Sequence, residues 1–268
     1  MFLFNMELKL VDVHCHLEHA DFANDLDAVI TRAREAGLKA IVVSGVNPAT
    51  NIEVLDLCKR YPDILKCTLG IFPIDAVGLP ADGTGLAKHE GKIDLDAQFE
   101  FIRKNTDKIV GIGEVGMDFH WDAEHHNEQK ENFEKIISFV EKIGLPIVVH
   151  TRKAESECFS MLKNSSIKKV VLHSFGGRKS LIKEAADLGY KFSVPANIVR
   201  SDSFQSLVKN VDLSRILTET DSPWLAPTPG RNEPANVAKS IEVIAKIKGM
   251  TQEETALCIF KNYMEVFG

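Results

Sequence analysis

The sequence lacks the features that mark exported and membrane proteins. Its five cysteines are odd in number and scattered, without a Cys-x-x-Cys pair, so we expect a reducing, intracellular compartment. No run reaches the roughly 18 apolar residues that a membrane helix needs. The apolar start, residues 1–5, is too short for a signal peptide, and Met6 is an alternative start to Met1. These observations predict a cytoplasmic protein that does not span a membrane.

The sequence also has no excess of positive charge. Its 32 Lys and Arg residues against 38 Asp and Glu residues give a formal net charge of -6. The surface as a whole would therefore repel nucleic acid, and such a substrate would need a local positive patch. No Gly-x-Gly-x-x-Gly motif follows the first predicted strand, which disfavours an open, doubly wound nucleotide-binding sheet.

Short hydrophobic segments that are typical of buried strands alternate with helical segments along the whole chain. The predicted strands are residues 8–17, 40–45, 65–73, 109–118, 145–152, 169–175, 190–195 and 215–220, and residues 75–91 are predicted to form an irregular loop. This alternation predicts an α/β protein with a parallel sheet covered on both faces. Eight repeats in 268 residues favour a (β/α)8 TIM barrel over an open sheet. Without a linker or a composition shift, residues 1–268 are predicted to form a single domain.

Metal-capable side chains lie at the carboxyl ends of the predicted strands, where barrel enzymes carry their active sites. His14 and His16 are two residues apart on one strand, so both imidazoles can point into the barrel mouth. Any one such residue is by itself an ordinary hydrogen-bonded polar group, and the joint pattern is what indicates a metal site. The predicted ligands are His14, His16, Glu114, His150, His173 and Asp221. This mixed nitrogen and oxygen set suits two divalent ions (Zn, Mn, Mg or Ni) bridged by a carboxylate.

Several motifs occur together in one order along nearly the whole chain. They are His14-Cys-His16, Gly111-Ile-Gly-Glu114-Val-Gly-Met-Asp118, Val149-His150, His173-Ser-Phe175, Thr218-Glu-Thr-Asp221-Ser-Pro and Arg231-Asn-Glu-Pro234. The sequence thereby resembles the TatD family of metal-dependent deoxyribonucleases, in the amidohydrolase-like superfamily.

The resemblance implies a two-metal phosphodiesterase. One ion would be held by His14, His16, Glu114 and Asp221, and the second by Glu114, His150 and His173, with Glu114 bridging. The family hydrolyses phosphodiesters in DNA, often from a 3′ end, by attack of a metal-bound hydroxide on phosphorus. Asp221 would take the proton of the water, so that Asp221 and Glu114 are the predicted catalytic residues. Glu219 is expected to support a ligand and not to bind metal.

One position departs from the family pattern. The family usually has Gly-Ile-His-Pro near the third strand, whereas this sequence has Gly70-Ile-Phe72-Pro73. Phe72 cannot donate to a phosphate, so it either stacks on a base or serves only in packing. Trp224 is interpreted in two ways as well, as a lid over the site or as a packing anchor.

Four arginines follow the last four predicted strands and should lie on the same rim as the metal ligands. They are Arg152, Arg178, Arg200 and Arg231. Guanidinium groups suit bidentate phosphate contacts, so these residues are the predicted substrate-binding residues. The predicted partner is a nucleic-acid substrate, single-stranded DNA before others, and no protein partner is predicted.

Two other functions remain open from the sequence. The barrel could hydrolyse a small ester, amide or lactone with the same metal centre. It could also be a catalytically silent binding protein, although six polar ligands at one rim argue against that. Metal content separates the silent protein from the enzymes, and turnover of single-stranded DNA separates the two enzymes.

Overall fold

Parallel strands form the centre of the molecule. The computed structural model describes residues 8–79 and 85–268, and in this part of the chain eight strands pair in sequence order. They are β1 (Leu10–Cys15), β2 (Leu38–Ser44), β3 (Leu65–Ile71), β4 (Gly111–Gly116), β5 (Ile147–His150), β6 (Val170–His173), β7 (Lys191–Pro195) and β8 (Ile216–Glu219). All six residues of β1 and of β4 are buried, as expected for strands covered on both faces.

β8 lies beside β1, so the sheet closes into a barrel. Side chains hold this seam. The Thr218 hydroxyl donates to the carbonyl of Val11 at 2.6 Å, and the Asp12 carboxylate accepts from the backbone N–H of Thr220 at 2.9 Å. Because Asp12 is fully buried, its carboxylate requires donors, which the backbone N–H groups of His14 and Thr220 supply where the two strands end.

Helices cover the outside of the barrel. In the described ranges they are α1 (Leu26–Glu35), α2 (Pro48–Arg60), α3 (Pro73–Ala76), α4 (Leu95–Lys104), α5 (His126–Ile143), α6 (Glu155–Lys163), α7 (Lys179–Asp187), α8 (Asp202–Asn210), α9 (Val237–Lys248) and α10 (Gln252–Phe267). Short 3-10 turns lie at Ala20–Phe22, Ala196–Val199, Leu213–Arg215 and Pro234–Asn236. Asn47 and Thr251 begin α2 and α10 with capping boxes, and Gly249 ends α9 in the left-handed conformation.

The predicted fold class is confirmed: the chain is a single (β/α)8 barrel, and the open-sheet alternative is wrong. The main differences are at element ends. The third strand was predicted to reach Pro73, but it ends at Ile71 and Pro73 begins α3. Proline is tolerated at the first position of a helix because the N–H that it lacks would have no acceptor within the helix there. The start at Met1 or Met6 and residues 80–84 of the predicted loop lie outside the described residues. No helix in residues 8–79 and 85–268 is both long and apolar enough to cross a membrane.

β3 and β4 approach each other closely at Gly70. A Cβ atom added at Gly70 would lie 2.2 Å from the backbone nitrogen of Glu114 and 2.4 Å from its carbonyl oxygen. No real side chain fits at those distances, so only glycine allows this approach. The absence of a side chain at Gly70 therefore sets the depth at which Glu114 lies in the barrel.

Candidate metal centre

The seam between β1 and β8 brings three predicted ligands together. The backbone N–H of Asp221 donates to the carbonyl of His14, and that of His16 donates to the carbonyl of Ser222, both at 2.9 Å. Asp221 has φ of 54°, a left-handed conformation that Asp tolerates better than most residues. One ligand atom from each of His14, His16 and Asp221 lies within 4.8 Å of the others. The three side chains can therefore share one ion.

Glu114 lies on β4 and directs its two carboxylate oxygens to different histidines. Its Oε2 is 3.4 Å from His14 Nε2 and 3.6 Å from His16 Nε2. Its Oε1 is 2.8 Å from His150 Nδ1 and 3.9 Å from His173 Nε2. The carboxylate thus lies between one pair of imidazoles from β1 and another from β5 and β6, which is the arrangement that a bridging ligand requires.

Each of the four histidines uses its other ring nitrogen to contact a partner outside the centre. The pairs are His14 Nδ1 with Ser44 Oγ at 3.0 Å, His16 Nδ1 with Glu18 Oε1 at 3.1 Å, His150 Nε2 with Asp118 Oδ2 at 2.8 Å and His173 Nδ1 with Glu219 Oε2 at 2.9 Å. Such partners fix the ring orientation and tautomer of metal-ligating histidines. The four imidazoles are therefore pre-oriented toward Glu114.

One atom of the centre has no hydrogen-bond partner in residues 8–79 and 85–268. His14 Nε2 is fully buried and unpaired, although Glu114 Oε2 and Asp221 Oδ1 lie 3.4 Å and 3.6 Å away. Buried polar atoms in proteins are nearly always satisfied. An ion between these three atoms would satisfy the imidazole, so the side chains present fit a divalent metal.

Buried acids and bases of the centre perturb one another strongly. Burial alone would lower the pKa of the histidines, but neighbouring carboxylates raise it to about 9 in His16, about 8 in His150 and about 10 in His173. Burial would raise the pKa of Glu114, yet its imidazole neighbours hold it well below its ordinary value. Burial raises the pKa of Asp221 in spite of three nearby imidazoles. When no ion is bound, His16, His150 and His173 therefore favour the protonated form, whereas burial lowers the pKa of His14 and favours its neutral form.

A cavity of about 700 Å³ opens above the centre. Its floor carries five of the six predicted ligands, and His14 lies buried next to them. Its walls include Val46, Asn47, Phe72, Ile74, Asp75, Leu79, Leu86, Trp121, Arg152, Trp224 and Leu225. The Phe72 ring packs at 5.0 Å from the ring of His150, so it both contacts a ligand and faces the cavity.

Arg152 is the member of the four predicted arginines that lines this cavity. It is exposed, and its guanidinium lies 5.1 Å from the ring centre of Trp121. Arg178 directly precedes α7 and lines a separate surface groove. A role for Arg152 in phosphate binding thus agrees with its position.

The other two arginines bind parts of the protein itself. Arg200 donates to the carbonyls of Ala226 and Pro227 at 2.6 Å and 3.0 Å. Arg231 forms a two-pronged ion pair with the Asp25 carboxylate at 2.8 Å and 2.6 Å. These contacts of Arg200 and Arg231 hold loops at the rim. A direct contact of Arg178, Arg200 or Arg231 with the substrate stays a prediction.

The family assignment follows from a comparison with known proteins. A family model described as TatD related DNase matches residues 11–268. The chain belongs to the TatD family of DNases. The resemblance that the motifs indicated is confirmed, and membership makes the chain a hydrolase that acts on ester bonds.

Similarity to other TatD proteins extends over the whole chain. It is 36% identical to the deoxyribonuclease TATDN3 of Homo sapiens over 263 residues, which are 96% of this chain and 94% of the human protein. It is 36% identical to an uncharacterized metal-dependent hydrolase of Methanocaldococcus jannaschii over 262 residues, 97% and 98% of the two chains. The fold matches the crystal structure of the TatD homologue YJJV from Escherichia coli with a TM-score of 0.85 at 23% identity, covering 98% and 99% of the chains.

Sequence reasoning missed most of the groups that orient the ligands. Glu219 was expected to have a supporting role, and its carboxylate does contact His173 and the backbone N–H of Ser174. Asp118 was quoted as part of a TatD motif, but its contact with His150 was not anticipated. Ser44 contacts His14 and Glu18 contacts His16. Nothing in the sequence pattern indicated these contacts except that both residues lie near a strand end.

The position of Glu114 leads to a prediction about metal content. Loss of a partner outside the ligand set costs roughly 10- to 100-fold in metal affinity, so Glu114→Gln, which alters a shared ligand, should weaken both ions by more than that. His173→Ala should weaken mainly one ion. Elemental analysis and Mn²⁺ titration of protein reloaded to two ions would measure the difference. Glu128→Gln, a carboxylate paired with Lys92 on the surface, is the isosteric control. Native affinity at both sites in Glu114→Gln would contradict the bridging role.

The raised histidine pKa values predict that metal binding depends on pH. An ion binds neutral imidazole, so it must displace the protons that His16, His150 and His173 hold at pH 7, given pKa values of about 9, 8 and 10. Affinity should therefore rise between pH 7 and pH 9, and binding at pH 7 should release protons. Calorimetric titrations with Zn²⁺ in two buffers of different ionisation enthalpy measure that release. Equal heats in both buffers would show that the imidazoles are already neutral.

Proposed function

We propose that this TatD protein hydrolyses phosphodiester bonds of single-stranded DNA with a pair of divalent ions, acting as an exonuclease from the 3′ end. The observation that carries the proposal is the Glu114 carboxylate, whose two oxygens face two separate pairs of imidazoles. Two ions a few ångströms apart suit displacement at phosphorus.

The ligand sets follow from the contacts of Glu114. Glu114 Oε2 with His14, His16 and Asp221 would hold one ion, and Glu114 Oε1 with His150 and His173 would hold the other. Ions bound there would act as Lewis acids toward the phosphoryl oxygens and lower the pKa of the attacking water.

Asp221 is suited to accept a proton from that water. Its side chain is 16% exposed and lines the cavity, so water reaches it. In the protein without ions, burial raises the pKa of Asp221, which is the direction that favours proton acceptance. As water attacks phosphorus, its proton passes to Asp221 and the bond from phosphorus to the leaving oxygen breaks. The leaving oxygen takes up a proton from solvent, and Asp221 returns its own proton to solvent.

The cavity suits one strand of nucleic acid better than two. Its volume of about 700 Å³ is that of a pocket for a small organic molecule, enough for one or two nucleotides and too small for a duplex. The protein as a whole is net acidic, so the ions and Arg152 would supply the local positive field. The cytoplasmic location and the absence of a protein partner stay predictions.

Digestion of DNA by the metal-loaded protein tests this proposal. A 5′-labelled single strand should shorten stepwise from its 3′ end in the presence of Mn²⁺, and a matched blunt duplex should be cut far more slowly. Cleavage of p-nitrophenyl acetate or a lactone without any cleavage of DNA or of methyl p-nitrophenyl phosphate would instead establish the small-ester hydrolase.

Arg152 should bind a phosphate of the strand. Arg152→Gln is expected to raise KM for an oligonucleotide roughly tenfold, the value of one charged hydrogen bond near a surface. It should also flatten the dependence of log K on log salt by about 0.7, the slope of one phosphate contact in single strands. Arg103→Gln, which changes an exposed arginine on α4 that does not line the cavity, is the matched control. Unchanged salt dependence in Arg152→Gln would remove this contact from the proposal.

A further inference from the structure

Both tryptophans of the chain line the cavity, and both are exposed. The sequence contains two tryptophans, Trp121 and Trp224, and they are 65% and 37% exposed. Trp121 is the most exposed large hydrophobic residue in the described part of the chain. Tryptophan is highly buried on average, so two exposed indoles at one cavity indicate a binding surface.

The two indoles lie on opposite sides of the metal centre. Trp121 follows β4 and Trp224 follows β8, and strands four apart face each other across a closed barrel of eight. The ring of Trp224 lies 5.3 Å from that of His16, whereas Trp121 lies beside Arg152 on the other wall. A linear substrate with its phosphate at the centre would therefore pass one indole on each side.

The turn that presents Trp121 is held rigidly in spite of its exposure. One oxygen of Asp118 accepts from the backbone N–H groups of His120 and Trp121 at 2.8 Å and 2.9 Å. The other oxygen contacts His150 Nε2, and the Gln129 side chain donates to the Asp118 carbonyl at 3.0 Å. A ring fixed in this way loses little conformational entropy when a ligand stacks on it.

Trp224 is fixed by different contacts. Its backbone N–H donates to the carbonyl of Asp221 at 2.9 Å, and its ring packs edge-on against the rings of His16 and His19 at 5.3 Å and 5.4 Å. The indole thus has one side on the histidines and also borders the cavity. These contacts with His16, His19 and Asp221 favour the interpretation of Trp224 as a packing anchor beside the predicted metal ligands.

We propose that Trp121 and Trp224 each stack on a nucleobase, one on either side of the phosphodiester at the metal centre. This inference rests on the proposed function and narrows its substrate to strands whose bases are unstacked and unpaired on both sides of the cleaved bond. Aromatic rings stack on every base, so the two indoles give affinity without sequence preference. A dinucleotide is then the smallest substrate that binds with full affinity.

Dinucleotides lacking one base test the proposal. Steady-state kinetics would compare thymidylyl-thymidine with two analogues that carry an abasic residue on the 5′ or the 3′ side, each with metal-loaded wild type, Trp121→Ala and Trp224→Ala. Each variant should raise KM for the complete dinucleotide by roughly 5- to 150-fold, the range of stacking on an aromatic side chain. Each should have little effect on one of the two abasic analogues, and the two variants should respond to opposite analogues.

Conservative variants and a remote control separate stacking from a structural role. Trp121→Phe and Trp224→Phe should restore most of the affinity for the dinucleotide, because phenylalanine also offers a flat face. Met264→Ala removes an exposed hydrophobic side chain on α10 and should leave every KM unchanged. Equal losses on all three dinucleotides, or sensitivity of both variants to the same missing base, would overturn the proposal.

Fluorescence gives a second measurement that does not depend on turnover. Thymidine 5′-monophosphate should quench the tryptophan emission of the metal-loaded protein, whereas deoxyribose 5-phosphate, which has no base, should not. The two phenylalanine variants each leave a single tryptophan and show which indole responds. If no phosphodiester is cleaved but the nucleotide still quenches, the hydrolase proposal fails and the stacking surface stands. Equal emission with both ligands would overturn the stacking surface even in an active nuclease.

Discussion

The buried carboxylate of Glu114 is the constraint on which the rest of the site depends. A carboxylate taken out of water is strongly destabilised unless positive charge and donors surround it. Here four imidazoles lie within 3.9 Å of its oxygens. Its depth is fixed by the close approach of β3 at Gly70, and two of its neighbours are fixed by the seam of β1 and β8. The seam that closes the barrel therefore also places His14 and His16 beside the buried carboxylate of Glu114.

Two carboxylates outside the predicted ligand set, Asp118 and Glu219, connect the metal centre to the loops at the rim of the cavity. Asp118 contacts His150 with one oxygen and holds the backbone of the Trp121 turn with the other. Glu219 likewise contacts His173 and holds the backbone N–H of Ser174. Each of these acids orients a ligand and a rim loop at once. The position of the ions and the shape of the cavity wall are therefore not independent, and a change at either acid should affect both.

Sequence reasoning predicted that the six side chains lie together because their positions obey two simple rules. Parallel barrel strands place their last residues at one mouth, and residues two apart on a strand point the same way, which put His14 and His16 together. The same rules say nothing about what a long side chain contacts after it leaves the strand. Arg231 lies on the predicted rim, but its guanidinium is bound to Asp25, which is 206 residues away in the chain. The contact of Asp118 with His150 was not predicted for the same reason, since it depends on a turn whose path periodicity does not specify.

The charges of the centre explain how one arrangement can exist with and without ions. Without ions, the raised pKa values of His16, His150 and His173 favour their protonated forms, which face the carboxylates of Glu114, Asp118 and Glu219. Two divalent ions bound between Glu114 and the imidazoles would supply positive charge in place of the imidazole protons. Because the outer carboxylates contact the ring nitrogens that face away from Glu114, they hold the imidazoles in position in either state. Little rearrangement would then be required for ions to enter, because the barrel frame already sets the distances between the predicted ligands.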